Sequence, residues 1–144
     1  MAGLKQLGAA VIGLTILAGC DGPAAPAGEV PPLGDYQLIS MGDEDVERFH
    51  VTLMLADGQI SGAGFCNRYS GTQTAALPGL QVGPLAVTRR ACIGDLMARD
   101  QAYFDALAAA GTVGFADGRL MITGEGPTLT FEPHIAQADH PAGN

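Results

Sequence analysis

The sequence predicts an α+β, mainly β fold: an antiparallel, partly open barrel of about seven to eight strands with one amphipathic helix. Three observations lead there. Twenty-one glycines and nine prolines among 144 residues cut the chain into short segments. The pairs Asp57-Gly58 and Asp117-Gly118 each stand between apolar stretches, as two-residue hairpin turns do. One segment near residues 94–111 repeats its apolar residues at helical rather than strand spacing. With 47% apolar and 15% charged residues the chain can bury a core, and its length suits about one domain.

The elements follow in order. Residues 36–40, YQLIS, form a short strand, and residues 47–55, ERFHVTLML, a longer one. In the longer strand Phe49, Val51, Leu53 and Leu55 share one face, while His50, Thr52 and Met54 share the other. Asp57-Gly58 turns the chain into QISGAGF. Weaker strands are expected at Thr72–Ala75 and Leu85–Thr88, with Leu80–Val82 leading into the second. The helix carries Leu96, Tyr103, Leu107 and Ala110 on one stripe, flanked by Met97, Phe104 and Ala108. Asp95 is its expected N-cap and Gly111 its stop. Asp117-Gly118 joins TVGFA to RLMIT, and residues 128–132, TLTFE, make the last strand. Residues 133–144 are expected to be a frayed tail. The chain has no internal repeat.

The first nineteen residues read as an address. Lys5 precedes an apolar run from Leu7 to Leu17, too short for the roughly 20 residues that span a bilayer. The ending Leu17-Ala18-Gly19-Cys20 resembles the lipobox of bacterial lipoproteins. That resemblance implies cleavage before Cys20 and acylation of Cys20, which would hold the mature chain on a membrane through two or three acyl chains. The expected location is the cell envelope, facing the periplasm, with Asp21 favouring the inner membrane. Residues 20–34 carry four prolines and read as an extended tether to a domain at residues 35–132.

Charge excludes one class of partner. All fifteen acids lie beyond residue 20 against six arginines, which leaves the mature chain near −9. A nucleic-acid binder needs a basic face, so no nucleic acid is expected.

With Cys20 acylated, Cys66 and Cys92 remain. An even pair in an exported chain is expected to form a disulfide. Two buried free thiols, or a reactive or metal-bound cysteine, are the alternatives. A closed loop of roughly 27 residues would contribute about 3.5 kcal/mol on the chain-entropy model. Catalysis lacks companions: His50 lies mid-strand, and His134 and His140 lie in the tail. Zinc would need more Cys or His ligands than the chain spaces together. The run Asp43-Glu44-Asp45 with Glu47 is expected to be a solvated turn rather than a calcium contact. Gly62-Ala63-Gly64 follows a strand but opens no helix, so it cradles no phosphate. No metal, cofactor or enzymatic activity is expected.

Asp57-Gly58, Ser61-Gly62, Cys66-Asn67-Arg68-Tyr69-Ser70-Gly71, then Thr88-Arg89-Arg90-Ala91-Cys92 and a helix bearing Asp100, Tyr103, Phe104 and Leu107 together resemble the META domain family, the HslJ-like heat-shock proteins. The resemblance covers roughly residues 34 to 132. It departs from the family pattern at Phe65, where glycine is usual, at Arg90, where Met is usual, and at Asp100, where Glu is usual. The resemblance implies a lipocalin-like or pilotin-like small barrel, no established activity, and an association with stress tolerance, motility or virulence.

Within the motif, Asn67 is expected to shape the turn from left-handed backbone space or by bonding its own turn. Arg68 bridges across the turn or meets a partner, and Tyr69 lids the core. Gly71 ends the motif, and Thr88 bonds near the second cysteine. Arg89-Arg90 is expected to be solvated. These readings give a lipid-anchored, non-enzymatic envelope protein acting in envelope stress or partner binding. A barrel holding a small apolar or lipid ligand is one alternative. Another is an inhibitor of a secreted hydrolase, with Arg68 or Arg89 at its contact loop.

Overall fold

A computed structural model of the chain describes residues 29–135. The proposed signal peptide, Cys20, the tether as far as Gly28, and the tail beyond Ile135 lie outside the described residues. No described helix is long and apolar enough to cross a membrane.

Strands β1 (Gly34–Met41), β3 (Thr52–Ala56), β4 (Gln59–Ala63), β5 (Arg68–Thr72), β6 (Ala86–Val87), β7 (Ala110–Ala116), β8 (Arg119–Gly124) and β9 (Leu129–Pro133) form one curled antiparallel sheet. The order across it is β6-β5-β4-β3-β1-β9-β8-β7. A two-residue strand β2 (Glu44–Asp45) pairs only with β1. The helix α1 (Leu96–Ala108) interrupts the strands between β6 and β7. The architecture is the mainly β half-barrel with one helix that the sequence predicts.

Alternation drives the curl. Tyr36 and Leu38 of β1, Leu53 and Leu55 of β3, Ile60 of β4, Val113 of β7, Leu120 and Ile122 of β8, and Leu129 and Phe131 of β9 all point inward and are buried. Tyr103, Ala106 and Leu107 of α1 fill the concave side against them. Between the outer strands, the segment at residues 73–82 bridges the remaining gap. Val113 N–H donates to Pro78 O at 2.8 Å and Leu80 N–H to Gly111 O at 3.0 Å, so the barrel is closed by a few bonds rather than a full ladder. Gln73 organises this segment: its Oε1 accepts Ala75 N–H and Gln81 N–H, each at 3.0 Å.

The strand ends define two poles. Gly34 pairs with Leu55, beside the Asp57-Gly58 hairpin, so the chain enters the domain at that pole. Arg68 pairs with Ala63 at the far ends of β5 and β4, which places the Cys66-Asn67 turn at the opposite pole. Five-residue strands set these poles about 17 Å apart.

Several local expectations are corrected. Residues 47–55 are not one strand: Glu47–Phe49 form a 3-10 turn, and His50 takes φ 52°. That left-handed residue breaks the period, so Phe49 packs from the turn and only Leu53 and Leu55 alternate within β3. The acidic run is partly paired, with Ser40 opposite Asp45 and Met41 opposite Glu44. Asp95 precedes α1 but makes no capping bond; its carboxylate instead takes Arg99 Nε at 2.7 Å. The helix ends at Ala108, and Gly111 belongs to β7. The strand placed at Thr72–Ala75 begins earlier, at Arg68, and ends at Thr72. The Asp117-Gly118 turn has both residues at positive φ, 53° and 74°, matching a type I′ hairpin.

Candidate functional site

Cys66 and Cys92 form a disulfide, 26 residues apart in sequence with Cα atoms 6.1 Å apart. It joins the turn at residues 64–67 to the loop between β6 and α1. Three side chains bind the same junction from different elements.

Asn67 is buried, yet its backbone is not left-handed; its role lies in its amide. Oδ1 accepts Arg90 N–H at 2.6 Å and Thr88 Oγ1–H at 3.1 Å, while Nδ2 donates to Asp100 Oδ2 at 3.0 Å. Asp100, from the second turn of α1, also accepts Asn67 N–H at 2.8 Å and Cys66 N–H at 3.1 Å. Thr88 completes the tie: its Oγ1 accepts Arg68 N–H and its own N–H donates to Arg68 O, both at 3.0 Å. A buried carboxylate needs such donors, and here three come from one turn. Gly64 admits the helix because a Cβ there would collide with Asp100 Oδ1.

The sequence reading missed Asp100 as the partner of this turn. The signal was available: Leu96, Asp100, Tyr103 and Leu107 occupy one helical stripe, and a carboxylate on an apolar stripe requires a donor.

Arg68, Tyr69 and Gly71 belong to a strand rather than the turn. Arg68 is exposed at its start. Tyr69 is part of the core: its hydroxyl donates to Thr52 O at 2.9 Å and meets Tyr103 Oη at 2.8 Å. Burial pushes both phenols up in pKa, Tyr103 further from the added negative potential of its neighbours. Neither phenol is a ready acid or base at neutral pH. At Gly71 the backbone packs so near Leu85 that a Cβ would displace that side chain.

The departures from the motif also find places. Phe65 packs edge-on to Phe49 at 5.2 Å and to Tyr103 at 6.2 Å between ring centroids. Arg90 contributes only its backbone N–H to the junction, so its side chain is free to vary. Arg99 bridges Glu44 and Asp95, each at 2.7 Å, and lies over Phe49. Its pKa rises through those bonds, first to Glu44, and Asp95 is held below the usual carboxylate range by Arg99.

The remaining hollows are surface clefts. One of about 570 Å³ lies beside Val30, Leu33 and Leu77, and one of about 360 Å³ beside Asp35, Met54 and Arg68. Among the described residues no group of three or more His, Cys, Asp or Glu could hold a metal ion.

Fold and site define a small antiparallel half-barrel, plugged by one helix and braced by a disulfide-locked turn. The META domain family model matches residues 32–135, and the chain belongs to that family. Comparison with curated proteins gives no match. Three solved structures share the fold. One NMR structure has a TM-score of 0.57 at 25% identity, covering 69% of this chain and 87% of its own. An NMR structure of a Burkholderia xenovorans protein has a TM-score of 0.56 at 24% identity, covering 79% and 97%. The crystal structure of a DUF4847 family protein from Bacteroides vulgatus has a TM-score of 0.50 at 12% identity, covering 70% and 92%.

Proposed function

We propose that this chain is a lipid-anchored, non-enzymatic protein of the bacterial envelope whose META domain binds a partner, in the setting of envelope stress. The observation that carries the binding role is how the motif spends its polar groups. Asn67, Thr88 and Asp100 bond one another and the backbone, fixing the Arg89–Cys92 loop in place. Residues so engaged hold a surface rather than attack a substrate. The concave interior favours an outer surface over an enclosed ligand, since Leu38, Tyr103, Leu107 and Phe131 already occupy it. Leu17-Ala18-Gly19-Cys20 supports the anchor.

Intact mass of the mature protein from cells tests the anchor. A chain starting at Cys20 and carrying acyl chains is expected, and Cys20→Ser is expected to move from the membrane to the soluble fraction. An unacylated mature chain that still sediments with membranes would sink this reading. Turnover of a defined substrate that is lost in Asn67→Ala, with the fold retained, would overturn the non-enzymatic role.

A further inference from the structure

We infer that the pole bearing the Cys66–Cys92 disulfide is a preorganised docking surface for an acidic protein partner, centred on Ile93. This deepens the partner-binding reading and rests on it.

Charge is the first observation. Of the six arginines, Arg99 and Arg119 are bridged to carboxylates and Arg48 lies 4.7 Å over the Phe49 ring. Arg68, Arg89 and Arg90 have no carboxylate within bridging distance among the described residues, and all three are exposed. They are also neighbours, because Thr88 is bonded to Arg68 from the residue directly before Arg89. Among the described residues of a chain with fifteen acids, three of the four arginines without a carboxylate partner thus lie close together, the fourth, Arg48, stacking on Phe49. Left in water, they would draw the chain's own acids only weakly; facing an acidic surface they set orientation and encounter rate.

Apolar exposure is the second. Ile93, next to Cys92, is 89% exposed, the most exposed large hydrophobic residue described, and Met97 in the first turn of α1 is 51% exposed. Exposed apolar residues that follow two exposed arginines in one short loop have the composition of an interface centre, where Arg and Met are enriched and apolar anchors seat in pockets.

Rigidity is the third. The disulfide, the Asn67 amide and Thr88 hold this loop from both sides, so docking would order little that is not already ordered. Position is the fourth. The chain enters the domain at the opposite pole, so a domain held through Cys20 presents Ile93 away from its anchor. That geometry, with the exposed arginines, favours a protein partner over the anchoring lipid.

A photo-crosslinking amino acid placed at Ile93 of the full lipoprotein, in its native cells, tests this, with Gln59 at the opposite pole as the comparison site. The expected result is an adduct at position 93 to a protein whose crosslinked segment is net negative, identified by mass spectrometry. Arg89→Glu with Arg90→Glu is expected to cut its yield about tenfold or more. Both side chains are exposed, and an unchanged melting temperature shows that the variant folds. Adducts only to lipid or to a second copy, or a yield indifferent to charge reversal, would overturn the inference. An adduct at Gln59 alone would overturn this surface but keep partner binding, and none at either site would remove both. The same experiment in Cys20→Ser separates the surface from the anchor: an unchanged adduct there keeps the docking surface whatever the fate of the lipid.

Discussion

Asp100 accepts the backbone N–H of Asn67 at 2.8 Å across 33 residues, and with it the N–H of Cys66 and the Asn67 amide. One carboxylate thereby joins the helix to the turn that carries the disulfide. Removing it strands three donors in a buried place, which costs more than the bonds themselves contributed.

Asp100→Ala is expected to destabilise the domain by about 3 kcal/mol, and Asn67→Ala by about 2 kcal/mol, in urea unfolding. The double variant should lose less than the sum, since both act at one junction. Full additivity would show that they act independently.

Asp100→Glu restores the acid usual in the family, yet it should destabilise by about 1–3 kcal/mol, because Gly64 already leaves no room at Oδ1. Equilibrium denaturation of the single variant is the check, and a gain in stability would refute the packing account.

Phe65→Gly likewise restores a family-typical residue. Phe65 is only 8% exposed and touches Phe49 and Tyr103, so its removal should cost about 3–5 kcal/mol. A thermal melt unchanged within error would mean that the ring contributes nothing to the core.

Reduction of Cys66–Cys92, or the pair of Cys→Ser changes, should lower stability by about 3.5 kcal/mol by releasing the loop in the unfolded chain. Denaturant midpoints with and without reductant measure this. Equal midpoints would require residual structure in the reduced unfolded state.

Tyr69 and Tyr103, hydroxyl to hydroxyl in the core, set the alkaline limit. Their folded pKa values lie above the unfolded value near 10, so the stability they contribute is complete below about pH 10 and is lost as pH rises toward the folded values. Tyrosinate absorbance from Tyr69 and Tyr103 should appear only as the fold is lost, and burial raises Tyr36 in the same direction. On the acid side Asp95, lowered by Arg99, contributes above its ordinary pKa and loses that contribution as pH falls. Tyr69 and Tyr103 titrating near pH 10 while far-UV circular dichroism stays native would contradict the buried pair.

Much of the fold was legible because β-structure writes its period and its turns into the chain. Asp57-Gly58 and Asp117-Gly118 marked both hairpins, and the alternation in β9 marked the last strand. What could not be read was long-range. His50 in left-handed space broke a strand that alternation alone made continuous. Arg68 began a strand, and Asn67 acted through its amide, because both answer to groups 20 or more residues away. Asp95 turned to Arg99 rather than to a helical N–H because Glu44 and the Phe49 ring hold that guanidinium beside it.

The first strand of this sheet lies between β3 and β9, so its two neighbours come from near the beginning and the very end of the domain. During synthesis β1 can pair with β3 early, but its other edge stays open until Leu129–Pro133 has been made. Until then the hairpin of β7 and β8 is held only by its few bonds to the 73–82 segment and lacks a strand ladder to β1, and exposed strand edges are where chains associate wrongly. Truncation within the last strand would therefore break the ladder between β1 and β8 and leave β7 and β8 on the few bonds of the 73–82 segment, rather than trim an edge.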